Sequence, residues 1–148
     1  MWSGEPINLV YGPAANAQVS GITQDFRGAN NYRPNIVGDP YAPEGQRTPA
    51  NYFNRDAVVI PTDPSQPFGN AARNIVRSDA FYQLDMALSK IVELGWRGTR
   101  LEFRTEVFNL LNKTNFRAAN GNRTAAGFGT ITQTYDPRQI QFGLKLSY

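Results

Sequence analysis

The sequence predicts an all-β protein: antiparallel strands of a transmembrane β-barrel, its C-terminal portion, carrying long irregular extracellular loops. Three observations predict this. The last ten residues, Gln139 to Tyr148, set Ile140, Phe142, Leu144, Leu146 and Tyr148 at the even positions and polar residues or Gly at the odd ones. Successive side chains of a strand point to opposite faces, so this is a strand with one apolar face. Arg100 to Val107 repeats the pattern, with Leu101, Phe103, Thr105 and Val107 on one face and Arg100, Glu102, Arg104 and Glu106 on the other. The third observation is the rhythm of long loop, short turn, long loop, which matches the unequal connections of bilayer-spanning barrels.

Composition narrows the chemistry. Of 148 residues 41% are hydrophobic, and the 13 Gly and 10 Pro gather in long polar stretches. Absence of Cys and His removes disulfide frameworks, thiol nucleophiles, the common zinc ligand sets and every His-based triad. No catalytic, metal or cofactor site is therefore expected, and no enzyme. A net charge of +3 is too small to argue for a nucleic-acid partner. No apolar run is long enough for a transmembrane helix, so a membrane role must be built from strands. Ten tilted residues suffice, since a spanning strand needs roughly 9 to 11. The N-terminus has neither the basic region nor the apolar core of a signal peptide. Either the protein stays inside the cell or this is a piece of a longer exported chain.

In chain order, Pro6 to Tyr11 reads as a short strand with Ile7, Leu9 and Tyr11 on one face. From residue 12 to 78 no period persists except the brief Ala57-Val58-Val59-Ile60, and this stretch is expected to be irregular. A loop of such length is functional or disordered more often than structural. Its charged residues Asp25, Arg27, Arg33, Asp39, Glu44, Arg47, Arg55 and Asp56 read as ligand contacts or, more plainly, as a solvated surface. Residues 81–94 fit a helical stripe through Leu84, Leu88, Ile91 and Val92, or a strand through Tyr82, Leu84, Met86 and Leu88. The strand is favoured because Gly95-Trp96-Arg97-Gly98 then makes a tight turn into the alternation over 99–112. Residues 113–138 form a second long loop, in which Phe128 to Thr134 is expected to extend a strand. Gly127-Phe128-Gly129 is too short to cradle phosphate and reads as a turn. The last strand covers 139–148.

Threaded through a bilayer, Tyr148, Arg100 and Trp96 fall at the periplasmic rim, and Gln139 and Phe81 outside. Charge is costly against lipid, so Asp85, Arg100, Glu102, Arg104, Glu106 and Lys145 are expected to line the lumen and to compensate one another. Their apolar partners then face the acyl chains. Lys90 is the exception on the lipid side, where it must snorkel.

Longer stretches carry a resemblance. Gly69-Asn70-Ala71-Ala72-Arg73-Asn74-Ile75-Val76-Arg77, the run Phe81 to Lys90, the run Leu101 to Asn112 with Asn115-Phe116, and Asp136 to Leu146 resemble the C-terminal end of TonB-dependent outer-membrane receptors. Arg33-Pro34-Asn35-Ile36-Val37-Gly38-Asp39-Pro40 fits a long loop of the same group. They are most similar to the Oar-like receptors. The resemblance covers nearly the whole chain and corresponds to roughly the last four strands of about 22; TonB box, plug domain and early strands have no counterpart here. It implies energised uptake of an unidentified solute, bound at the outer loops and released inward when the TonB complex acts on the plug. Implied partners are outer-membrane lipid, the remaining barrel and plug, the TonB complex and the barrel-assembly machinery. It also implies that Phe142, Leu144, Leu146 and Tyr148 form a C-terminal assembly signal read by strand addition, with Gly143 leaving room for close backbone approach. Tyr148 as a simple girdle aromatic is the plainer reading.

Two other function classes stay open. A soluble carbohydrate-binding β-module would stack sugars on Trp2 or Trp96, and a structural or adhesive barrel would transport nothing. Asn112-Lys113-Thr114 and Asn122-Arg123-Thr124 fit the glycosylation sequon, a tripeptide that recurs by chance.

Overall fold

The computed structural model describes residues 3–12, 32–63 and 68–148. It is all-β, with strands paired antiparallel in three sheets and no helix among the described residues. The chain divides into two compact units, one built on 81–115 and 134–148, the other on 3–80 and 116–133.

The first unit is a three-stranded sheet in the order β5 (Met86–Glu93), β6 (Arg100–Phe108), β7 (Gln139–Ser147). Residues 81–94 thus form a strand and no helix, although the paired part begins only at Met86. β5 and β6 meet through the expected turn: Leu94 N–H donates to the Thr99 carbonyl at 2.9 Å, and Thr99 N–H to the Trp96 carbonyl at 2.9 Å. Gly95, Arg97 and Gly98 all take positive φ, at 68°, 49° and 75°. Glycine enters that region without a steric penalty, which is why the turn carries one at each end.

The second strand stops four residues short of its expected end. Asn109 and Asn112 adopt φ of 53° and 50°, and a left-handed residue takes the chain out of the ladder. The three strands do not close on themselves; β5 and β7 each keep an unpaired edge among the described residues.

The second unit is irregular over most of its described length, as expected for the long stretch 12–78, and is held by two short strand pairs. Residues 6–11 begin as β1 (Pro6–Ile7), which pairs with β4 (Val76–Arg77), and β2 (Asn35–Ile36) pairs with β3 (Val58–Val59). Beyond β1 only single bridges continue, Val10 with Asn122 and Tyr11 with Tyr32. The expected face is there nonetheless, since Ile7, Leu9 and Tyr11 are buried. Ile7 and Leu9 join an apolar core with Tyr52, Phe53, Val58, Val76, Ala119 and Phe128, while the Tyr11 ring lies 5.7 Å from that of Tyr32. Tyr52 and Phe53 meet edge to face at 5.3 Å, and Phe53 lies 5.8 Å from Phe128, separations at which ring quadrupoles attract.

Phe128 to Thr134 forms no strand, against expectation. Its polar backbone is spent elsewhere: Tyr52 N–H donates to the Gly129 carbonyl at 2.8 Å, and Ile131 N–H to that of Pro49 at 2.6 Å. Gly127 to Gly129 is the turn anticipated from its glycines, with Gly129 at φ 76°. Gly121 is required for packing, because a Cβ there would come within 2.3 Å of the Asn8 carbonyl oxygen.

Candidate functional site: a two-faced sheet and its asparagine clamp

Register decides which side chains share a face. In β6 the pairs run Arg100 with Glu93 and Ser147, Glu102 with Ile91 and Lys145, Arg104 with Ser89 and Gly143, and Glu106 with Ala87 and Gln141. One face of the sheet therefore carries Arg100, Glu102, Arg104, Glu106 and Lys145, joined by Glu93, which the charge pattern alone did not single out. Asp85 lies just before β5, in step with the same face.

Mutual compensation across this face is only partial. Arg100 pairs across the strands with Glu93 at 3.6 Å, whereas Arg104 pairs with Glu106 along its own strand. Lys145 stands opposite Glu102 in register, yet no ion pair closes between them. Both ion pairs are exposed and contribute on the order of 1 kcal/mol or less. Asp85 answers to no base at all. Its carboxylate accepts the Asn109 N–H at 2.9 Å and the Gln83 amide at 2.8 Å, and these bonds, the Asn109 one foremost, hold its pKa below the usual carboxylate value.

The opposite face is apolar and open along most of its length, with Val107 at one end buried. Met86, Leu88 and Val92 on β5, Phe103 on β6, and Ile140, Phe142, Leu144 and Leu146 on β7 are all exposed, Phe142 to 71% and Leu144 to 70%. Phe103 and Phe142 stack across the strands at 6.2 Å. A contiguous apolar surface of this extent marks contact with lipid or another protein. Lys90 interrupts it, paired in register with Phe103. Tyr148 follows the last paired residue and is fully exposed. Gly143 is not forced by contact: a Cβ would meet Arg104 Cβ at 3.8 Å, an ordinary separation, so the close approach expected there is not needed.

Two buried asparagines lock one end of the sheet, and sequence reasoning assigned them no role. Asn109 donates from Nδ2 to the Lys113 carbonyl at 3.0 Å and accepts the Lys113 N–H at 3.1 Å, while its own N–H holds Asp85. Asn115 accepts the Tyr82 N–H at 3.0 Å and returns its amide to the Tyr82 carbonyl at 2.8 Å. Lys113 also sets its ammonium 4.5 Å from the Tyr82 ring centre. The available signal was the spacing Asn109, Asn112, Asn115 at the end of an alternating run, since Asn tolerates left-handed backbone and serves as both donor and acceptor.

The remaining expected contacts scatter. Arg47 lies over the Tyr41 ring at 4.5 Å, Arg55 over Phe128 at 5.9 Å, and Asp39 accepts the Tyr41 N–H at 3.0 Å. Trp96 is exposed in its turn with the Arg97 guanidinium 5.6 Å away. Trp2, Asp25 and Arg27 lie outside the described residues. Among the described residues no three carboxylates gather as a metal site.

A family model described as an outer membrane beta barrel domain matches residues 1–141. Searches of curated proteins and of solved structures return no match.

Proposed function

Because the chain belongs to the outer membrane beta barrel domain family, we propose that it is the C-terminal barrel segment of a TonB-dependent, Oar-like receptor that takes up a solute across the outer membrane. The protein is an outer-membrane protein by that membership. The observation that carries the finer reading is the sheet with one exposed apolar face and one charged face, together with the run of receptor-like stretches from Gly69 to Leu146. The apolar face meets lipid. Arg100, Glu102, Arg104, Glu106, Lys145 and Asp85 face a water-filled lumen, where weakly paired charges remain hydrated. The long connections lie outside and the turn at Gly95 to Gly98 at the periplasmic rim, which puts Trp96 in the interfacial belt. The segment performs no catalysis; it guides a solute, with plug, TonB complex and assembly machinery as partners. Membership of an outer-membrane family removes the soluble carbohydrate module from contention.

Fractionation with crosslinking of an epitope-tagged chain in its own cells tests the reading. Recovery in the outer membrane, in crosslinked complexes that contain TonB, is the expected result. Recovery there without TonB favours a structural or adhesive barrel.

A further inference from the structure

We propose that the second unit holds a binding site for a small oxyanion, a solute bearing carboxylate or phosphate, between Arg33 and Arg73. A cavity of about 490 Å³ opens there, lined by Arg33, Arg73, Asn8, Asn74 and the buried Leu9, with no carboxylate in its lining among the described residues. That volume suits one small solute. Two arginines lining one cavity, with no acid beside them among the described residues, make it a positive concavity, and the planar fork of Arg matches carboxylate and phosphate oxygens in pairs.

The walls are fixed before any ligand arrives. Arg33 is half-buried and its guanidinium is anchored on the Ala71 carbonyl at 3.3 Å, a contact that engages one of its five donors. Its backbone carbonyl receives the Gly69 N–H at 2.8 Å, and that of Pro34 receives the Ala71 N–H at 3.1 Å. The approach requires glycine, since a Cβ at residue 69 would lie 2.2 Å from the Pro34 carbonyl carbon. On the far side Asn74 takes φ 56°, and its N–H is held by the Asn8 side-chain oxygen at 2.8 Å. Arg73, between these anchors, is exposed and makes no ion pair among the described residues. One guanidinium is thus placed and the other uncommitted, an arrangement that closes on an anion with little reorganisation.

The site rests on the uptake reading only in treating its ligand as cargo; binding itself is measured apart from transport. The full chain in nonionic detergent is titrated calorimetrically with citrate, with glycerol 3-phosphate and with neutral glycerol. At least one anion binds, glycerol does not, and added salt weakens the binding. Citrate alone identifies a carboxylate solute, and glycerol 3-phosphate alone a phosphate ester. Arg73→Gln raises the Kd about tenfold or more, the loss expected for a charged hydrogen-bond donor, whereas Arg97→Gln in the β5–β6 turn leaves it unchanged. Arg33→Gln repeats the loss, with circular dichroism confirming the fold. Failure of both anions to bind, or Arg73→Gln binding as tightly as the parent, overturns the site and leaves membrane location and TonB crosslinking untouched.

Discussion

The Asn109 side chain bridges both polar groups of the Lys113 backbone, and its backbone sits at φ 53°, so Asn109→Ala loses two hydrogen bonds and places alanine in a left-handed conformation. A loss of about 1–3 kcal/mol is expected, read as a lower midpoint in urea unfolding. Exposed Gln133→Ala serves as the neutral comparison. Asp85 adds a pH dependence. Its folded-state pKa lies below the ordinary value, so the stabilisation is present above the unfolded pKa and disappears as pH falls through the folded one. The acid limb of stability is therefore shallower in Asp85→Asn, measured as midpoint against pH below the ordinary carboxylate range. Tyr52 behaves in the opposite sense. Burial foremost, and then the hydrogen bond from its hydroxyl to Asp79 at 3.0 Å, raise its pKa. The phenol's contribution is complete below its unfolded pKa and is lost as pH rises toward the folded value. Tyr52→Phe removes that alkaline loss along with the bond.

At the scale of elements, β6 and β7 were legible because a half-exposed strand writes its two faces directly into alternate positions, Arg100 to Val107 and Gln139 to Ser147. The turn between β5 and β6 was legible through Gly95 and Gly98. The ends were not, because Asn109 and Asn112 leave the ladder through backbone conformation, which hydrophobic periodicity does not register. Nor was the core of the second unit. Ile7, Leu9, Tyr52, Phe53, Val58, Val76, Ala119 and Phe128 come from segments far apart, one or two residues at a time, with nothing periodic to link them. The Arg33 and Arg73 pair was hidden for the same reason: only the folded chain brings positions forty residues apart to one cavity. The two faces of β7 predict different tolerance. Leu144→Arg on the apolar face loses about 2–4 kcal/mol if it lies near the bilayer midplane, while Gln141→Arg on the other face is accepted, as read by heat-modifiable gel mobility. Tyr148→Ala lowers the amount of folded protein recovered from the outer membrane if the last strand is an assembly signal, and Thr114→Ala does not. Equal recovery of both variants leaves Tyr148 a girdle aromatic.

At the scale of the whole molecule, an open three-stranded sheet with a largely exposed apolar face is not stable in water, and membership of an outer-membrane barrel family supplies the solvent it needs. The charged face is the counterpart, since Arg100, Glu102, Arg104 and Lys145 require water on their side of the same strands. Everything proposed about uptake depends on that division. The absence of native Cys makes it measurable, because a spin label can be placed at one engineered cysteine at a time from residue 140 to 147 in outer-membrane vesicles. Collision with oxygen, which concentrates in lipid, and with a water-soluble nickel chelate then reports the surroundings of each site. The account predicts a period of two, with 140, 142, 144 and 146 open to oxygen and 141, 143, 145 and 147 open to nickel; a flat profile, or the opposite phase, would contradict it.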